Sequence, residues 1–328
     1  MVFGKNFDWS FGSGLIIINK RGVKKTALLE PPEKPVRWVS QYGSITFNQV
    51  SKEFPFGGIN EAGLVVEQMW LEETQYPGPD NRRVLSELQW IQYQLDNCRS
   101  VNEVFDSDAH IRISQNKSNI HFLVCDRSGN VAVIEFLNGK RVYQTGKNLF
   151  VKALTNDSYL NSMAYLKKHV GFGGKKEISS SPKSLDRFVR IAERLKDYKP
   201  NQSGFIVSYA FDILSYVSVS SEKSDTVWSI IYDLENLQIY FKTIESKDIK
   251  TLRLKDFDFR CDIPSKVLDI NTGVKGDLLD HFVAYSTDIN RKLVRSTFAK
   301  FKKTSVKSTE NSNLEILIRY PSSVRCIR

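Results

Sequence analysis

The sequence has 328 residues, is 41% hydrophobic and 12% aromatic, and carries 47 Lys and Arg against 37 Asp and Glu, a net charge of +10. Such a composition can bury a sizeable core and excludes a disordered or collagen-like chain. Its longest apolar run, around Leu15 to Ile18, falls well short of the roughly 18 residues of a membrane span, so no transmembrane segment is expected. In chain order, residues 14–19 (GLIIIN) read as a strand, Arg21-Gly22-Val23 as a turn, and 26–29 as a second strand. Pro31, Pro32 and Pro35 mark a loop, after which 37–48 (RWVSQYGSITFN) is rich in β-branched and aromatic residues. Gly57-Gly58 and 60–63 lead into a strand at 64–70 (LVVEQMW), and 76–81 (YPGPDN) is a loop.

Helical spacing starts at Ser86, with Leu85, Leu88, Ile91 and Leu95 three or four apart, and Ser100 opens a short helix over 101–105. Residues 120–125 and 131–136 flank Asp126-Arg127-Ser128-Gly129-Asn130, which is hairpin chemistry. Residues 140–144 and 148–154 read as strands, and 159–170 as a helix stopped by Gly171. A Ser/Lys-rich loop over 175–184 precedes helices at 185–195 and 206–217. A second hairpin joins 226–233 to 237–243, and beyond Phe257 no period is legible. Hairpins outnumber parallel crossover units, which predicts antiparallel sheets with helices outside them, in one domain over 1–328. The basic segment 291–328 is expected at its periphery.

The four cysteines, Cys98, Cys125, Cys261 and Cys326, have no CxxC spacing and predict no disulfide framework. The four histidines offer no zinc spacing, so no metal is expected. Residues 291–307 hold seven basic residues and no acid, a pattern read as a solvated face rather than a phosphate-binding one. No motif suggests nucleic acid as a partner. MVFGKNFDWS lacks the apolar centre of a secretion signal, so the default expectation is cytoplasmic, or exported if an upstream segment carries a signal.

The cluster GKNFDW (4–9) places Asn6, Asp8 and a cation within four positions, and by itself reads as a turn. Seven further segments follow it in order: INKRG, RWVSQYGSITFNQ, FPFGGINEAGLVVEQMWLEE, CDRSGNVAVIEF, LTNDSY, SLDRFVR and DTVWSIIYDLEN. Together they resemble the choloylglycine hydrolase family, nearest to its penicillin V acylase-like members, over about 2–245. The resemblance implies an α+β fold of the N-terminal nucleophile hydrolase type, a four-layer αββα sandwich of two antiparallel sheets. It also implies hydrolysis of a non-peptide linear amide in a small acyl amide, with no cofactor, by a homo-oligomer that is tetrameric in many relatives.

In that family the nucleophile is an N-terminal cysteine whose α-amine is the general base. By the resemblance Asp8 orients that amine, Asn156 donates to the oxyanion, and Arg187 holds the charge of the group together. Lys5 stands where the family usually has arginine, and loses the planar fork. Lys5, Asn6 and Trp70 are carried over as substrate-binding positions. Trp70 replaces an asparagine of bile-salt-cleaving members, which points to an aromatic-lined acyl pocket. The resemblance places the cysteine upstream of Met1. The sequence as given is therefore expected to be inactive, either because Met1 is internal to a longer protein or because this is a non-catalytic relative that binds an acylated amide or a protein.

Overall fold

A computed structural model describes residues 1–29, 32–114, 118–199, 206–303 and 311–327; Pro31 and positions 304–307 of the basic run lie outside them. The first strands are β1 (Val2–Trp9), β2 (Leu15–Asn19), β3 (Val23–Thr26), β4 (Arg37–Val39) and β5 (Ser44–Asn48). Next come β6 (Gly57–Asn60), β7 (Val65–Trp70), β8 (Arg83–Leu85), and helices α1 (Glu87–Asn97) and α2 (Val101–Ser107). Strands β9 (Ile111–Ile113), β10 (Ile120–Cys125), β11 (Val131–Leu137) and β12 (Lys140–Thr145) lead to α3 (Tyr159–Leu166), α4 (Ser184–Asp197) and α5 (Ile206–Tyr216). The hairpin β13 (Asp225–Asp233) and β14 (Gln238–Thr243) is followed by β15 (Lys250–Arg253), β16 (Lys266–Asp269), β17 (Gly276–Asp277) and β18 (Val283–Ala284). The remaining elements are α6 (Thr287–Lys303), α7 (Asn311–Arg319) and β19 (Arg325–Cys326).

Two sheets organise the molecule. One runs β1-β13-β14-β15-β17, the other β12-β11-β10-β7-β6-β5-β2-β16-β18, and both are antiparallel apart from the short β15–β17 pair. Phe3, Phe7, Trp228, Ile230 and Tyr232 of the first sheet pack against Ile16, Ile18, Phe47 and Val133 of the second. On the far side of the larger sheet, Leu88, Ile91 and Leu95 of α1 cover Val66, Phe122 and Val124. Phe211 and Leu214 of α5 cover Ile231 on the far side of the smaller sheet. The result is the α+β, αββα layering. The larger sheet is buried on both faces along β2, β10 and β11, which is why these strands read as near-continuous apolar runs, interrupted only by the buried pair His121 and Glu135.

Local signals account for most boundaries. Ser86 caps α1 by accepting from Gln89 N, and Ser100 caps α2 by accepting from Glu103 N. Asp233 accepts from the backbone of Glu235 and Asn236 and so closes the β13–β14 hairpin. Several expectations are corrected. GKNFDW is no turn but the body of β1, with Phe3, Lys5 and Phe7 buried and their neighbours facing α5. The stretch 37–48 divides into β4 and β5, which belong to different sheets. Residues 148–154 form no strand, because β12 already completes that edge of the larger sheet. The helix expected over 159–170 ends at Leu166, and His169 instead bridges Lys176.

The region that showed no period holds α6, α7 and β19. β19 pairs with β3 and brings Cys326 into a disulfide with Cys261, 65 positions away. That bridge corrects the expectation from cysteine spacing: its partners meet through tertiary pairing, which no local motif announces. Arg291 and Arg295 of the basic run pair with Glu315 of α7, the latter at 3.2 Å, so their charge is spent inside the helical pair. No helix among the described residues is long and apolar enough to cross a membrane.

Candidate active site

β1 is an edge strand. It pairs with β13 on one side, and its other edge faces a large cavity. The cavity measures about 1690 Å³ and has walls of Phe7, Trp9, Phe56, Met69, Leu123 and Leu214. Such an apolar hollow with a few convergent polar groups is the usual form of a small-molecule site.

Those polar groups gather where β1 ends. The β1–β13 register shifts between Phe7 and Asp8, and the shift sets Asp8 against Thr226, whose hydroxyl donates to Asp8 Oδ1 at 2.5 Å. Arg187, in the first turn of α4, donates to Asp8 Oδ2 at 3.0 Å and to Asn156 Oδ1 at 2.7 Å. Its Nε is held by the carbonyl of Pro182 at 3.1 Å. Because a guanidinium only donates, it fixes which end of the Asn156 amide faces it. Asn156 Nδ2 therefore points away, donating to the Trp70 carbonyl at 3.1 Å, with a second N–H left over. Ser184 receives the Asn156 backbone N–H at 2.8 Å and locks the loop to α4. Residues 8, 70 and 187, from β1, β7 and α4, and residue 156, from the loop before α3, thus form one connected group on the cavity wall.

Lys5 lies one pleat back along β1, on the buried face. Its ammonium bonds to the carbonyl of Gln68 and faces Glu67, and burial, opposed mainly by Glu67, pushes its pKa down. Glu67 is itself buried and accepts from the Tyr232 hydroxyl at 2.5 Å. Desolvation raises its pKa to about 7, against the opposing pull of Lys5 and Tyr232. Gly57 makes room for this carboxylate: a Cβ there would stand 2.1 Å from Glu67 Oε2. Glu67 and Tyr232 escaped sequence reasoning because both sit inside apolar strands, although a carboxylate in LVVEQMW was a visible oddity.

Asn6 does not join the group. Its amide is spent on the Leu214 carbonyl at 2.7 Å and on Ser229 at 2.8 Å, which ties β1 to α5 and β13. Trp70 stays 42% exposed, its indole N–H on Glu72 at 2.9 Å and its ring bordering the cavity. Neither free thiol is prepared for attack: burial pushes Cys98 and Cys125 up to about 12. The other two cysteines are joined to each other.

A family profile described as linear amide C–N hydrolases, choloylglycine hydrolase family, matches residues 1–269. A penicillin V acylase of Pectobacterium atrosepticum is 28% identical over 263 residues, 68% of this chain and 69% of that one. Among solved structures, penicillin V acylase from Agrobacterium tumefaciens matches with a TM-score of 0.73 at 24% identity, covering 87% of this chain and 94% of that one. A mutant conjugated bile acid hydrolase from Clostridium perfringens matches with a TM-score of 0.66 at 18% identity, covering 84% and 94%. At those identities the two structures speak for the fold.

Proposed function

The chain belongs to the choloylglycine hydrolase family of linear amide C–N hydrolases, and from that premise we propose that it carries the binding and positioning machinery of a cysteine-dependent acylase. The observation that carries this reading is the single guanidinium of Arg187 holding Asp8 and Asn156 together on the wall of an apolar cavity. The substrate is a small acyl amide. Its apolar acyl group lies in the cavity against Trp70, and its scissile carbonyl lies by Asn156.

The nucleophile in this reading is a cysteine with a free α-amine, borne on a strand laid along the open edge of β1. An α-amine titrates near 8, so it can take the thiol proton at neutral pH. The thiolate attacks the carbonyl carbon, and the second N–H of Asn156 turns to the oxyanion that forms. Asp8 accepts from the ammonium and keeps it beside the reacting atoms. The C–N bond then breaks as the ammonium returns its proton to the leaving nitrogen. Water, deprotonated by the same amine, clears the thioester. Lys5 supports this wall with a buried cation, and Asn6 keeps β1 in place. The acyl group of the relatives named penicillin V acylase, an aryloxyacetyl, is the first to try.

A second reading rests on the state of the thiols, none of which is reactive as placed. In it the protein is a non-catalytic relative that binds an acylated amide. N-terminal sequencing and intact mass of the protein from its own cells, with free amine release from penicillin V followed on the same sample, separate the two. A leading cysteine with amine release supports the acylase. A chain starting at Met1 or Val2 that releases nothing from any acyl amide removes it and leaves the binder.

A further inference from the structure

The helical pair α6–α7 lies beyond the residues that the family profile matches. Its attachment is nonetheless specific. Thr297 donates to the Gln49 carbonyl at 2.6 Å, and Asn290 Oδ1 takes the Lys52 N–H at 3.0 Å. The Tyr320 hydroxyl donates to the Thr26 carbonyl at 2.7 Å and accepts from Gln89 at 2.8 Å. The Cys261–Cys326 bridge then pins the far end. The pair is a fixed wall.

Its apolar side chains divide into two sets. Val294, Leu314 and Ile318 are buried between the helices. Phe301 and Ile316 border the cavity, as do Phe298 and Leu317, which also pack on that buried cluster. Phe301 meets Trp9 edge-on, with ring centres 6.3 Å apart, and Trp9 directly follows Asp8. Ile316 remains 48% exposed on this wall. An isoleucine held half open beside an apolar hollow, on an anchored helix, is surface that an apolar ligand would cover.

We propose that the cavity face of α6–α7, through Phe301 and Ile316, selects the acyl group by length. This rests on the reading of the cavity as an acyl site. The experiment is displacement of anilinonaphthalene sulfonate from the full chain by saturated fatty acids from hexanoate to palmitate. It needs no turnover. Each further methylene that finds apolar wall should tighten Kd by about fourfold until the wall is reached.

Phe301→Ala should move the tightest-binding acid to a longer chain, and Ile316→Trp should move it to a shorter one. The second substitution is at a half-exposed position and keeps the test alive if the first fails to fold. An unchanged ranking of chain lengths in a folded variant overturns the selective role while sparing the acyl site. Failure of every fatty acid to displace the probe from the unaltered protein overturns the acyl site itself, and the proposal with it.

Discussion

Arg187 has one guanidinium and three acceptors around it: Asp8, Asn156 and the carbonyl of Pro182. Lysine would keep the charge but lacks the planar fork whose separate nitrogens reach Asp8, Asn156 and the Pro182 carbonyl. In a form bearing the proposed N-terminal cysteine, Arg187→Lys should therefore cut kcat by about a hundredfold with little change in KM. Steady-state kinetics check it, and an unaltered kcat would mean that Asp8 and Asn156 hold their places without the bridge. Glu67 makes a different prediction. The fold raises its pKa to about 7, so the folded protein retains a proton that the unfolded chain, near 4.5, releases. Its contribution is complete below that lower value and is lost as pH climbs through about 7, a loss of about 3 kcal/mol. The buried amine of Lys5, pushed down, gains from deprotonation and runs the other way. Glu67→Gln isolates the carboxylate, and melting temperatures from acid to mildly alkaline pH should lose most of their decline in this window. At this scale sequence resemblance reached Asp8, Asn156 and Arg187, but not that one guanidinium links them. Residues separated by 148 and 31 positions meet only when β1 and α4 are placed by the sheet and the loop before it.

At the scale of elements, β1 carries the site because of two features that its sequence contains side by side. Alternation of Phe3, Lys5 and Phe7 into the core makes it a strand, and the register shift before Asp8 lets the carboxylate reach α4. Read without a partner strand, the same Asn and Asp looked like a turn, since local propensity is silent about pairing. The C-terminal helices were unreadable for a different reason. Both helices have an apolar side, but in α6 Leu293, Val294 and Phe298 stand among basic residues, and the reading of that stretch followed charge instead of period. The bridge that closes them restrains a long loop. Cys326→Ser should lower stability by about 2–4 kcal/mol, and thermal unfolding with and without dithiothreitol checks it. The reduced parent should melt with the variant; equal melting of the oxidised parent and the variant would show that β19 pairing holds the end alone.

Over the whole molecule, the excess of hairpins over crossover units was enough for antiparallel sheets with helices outside, and the family resemblance supplied the two-sheet sandwich. Burial on both faces writes itself into sequence as continuous hydrophobicity. The order of eight short motifs was enough for the family, which the profile match over residues 1–269 bears out. The charge balance was legible only as a sum. Three of the basic residues, Arg291, Arg295 and Arg319, converge on the single carboxylate of Glu315, a fact of helix packing. What the sequence by itself determined was therefore local or periodic: strands, hairpins, caps and motif order. What the tertiary structure alone decided was every pairing across long separations: the Arg187 bridge, the Lys5–Glu67–Tyr232 burial, the Cys261–Cys326 link and the wall that α6–α7 lends the cavity. Those depend on where two sheets put distant residues in space, and backbone propensity, which acts over a few positions, carries no term for that.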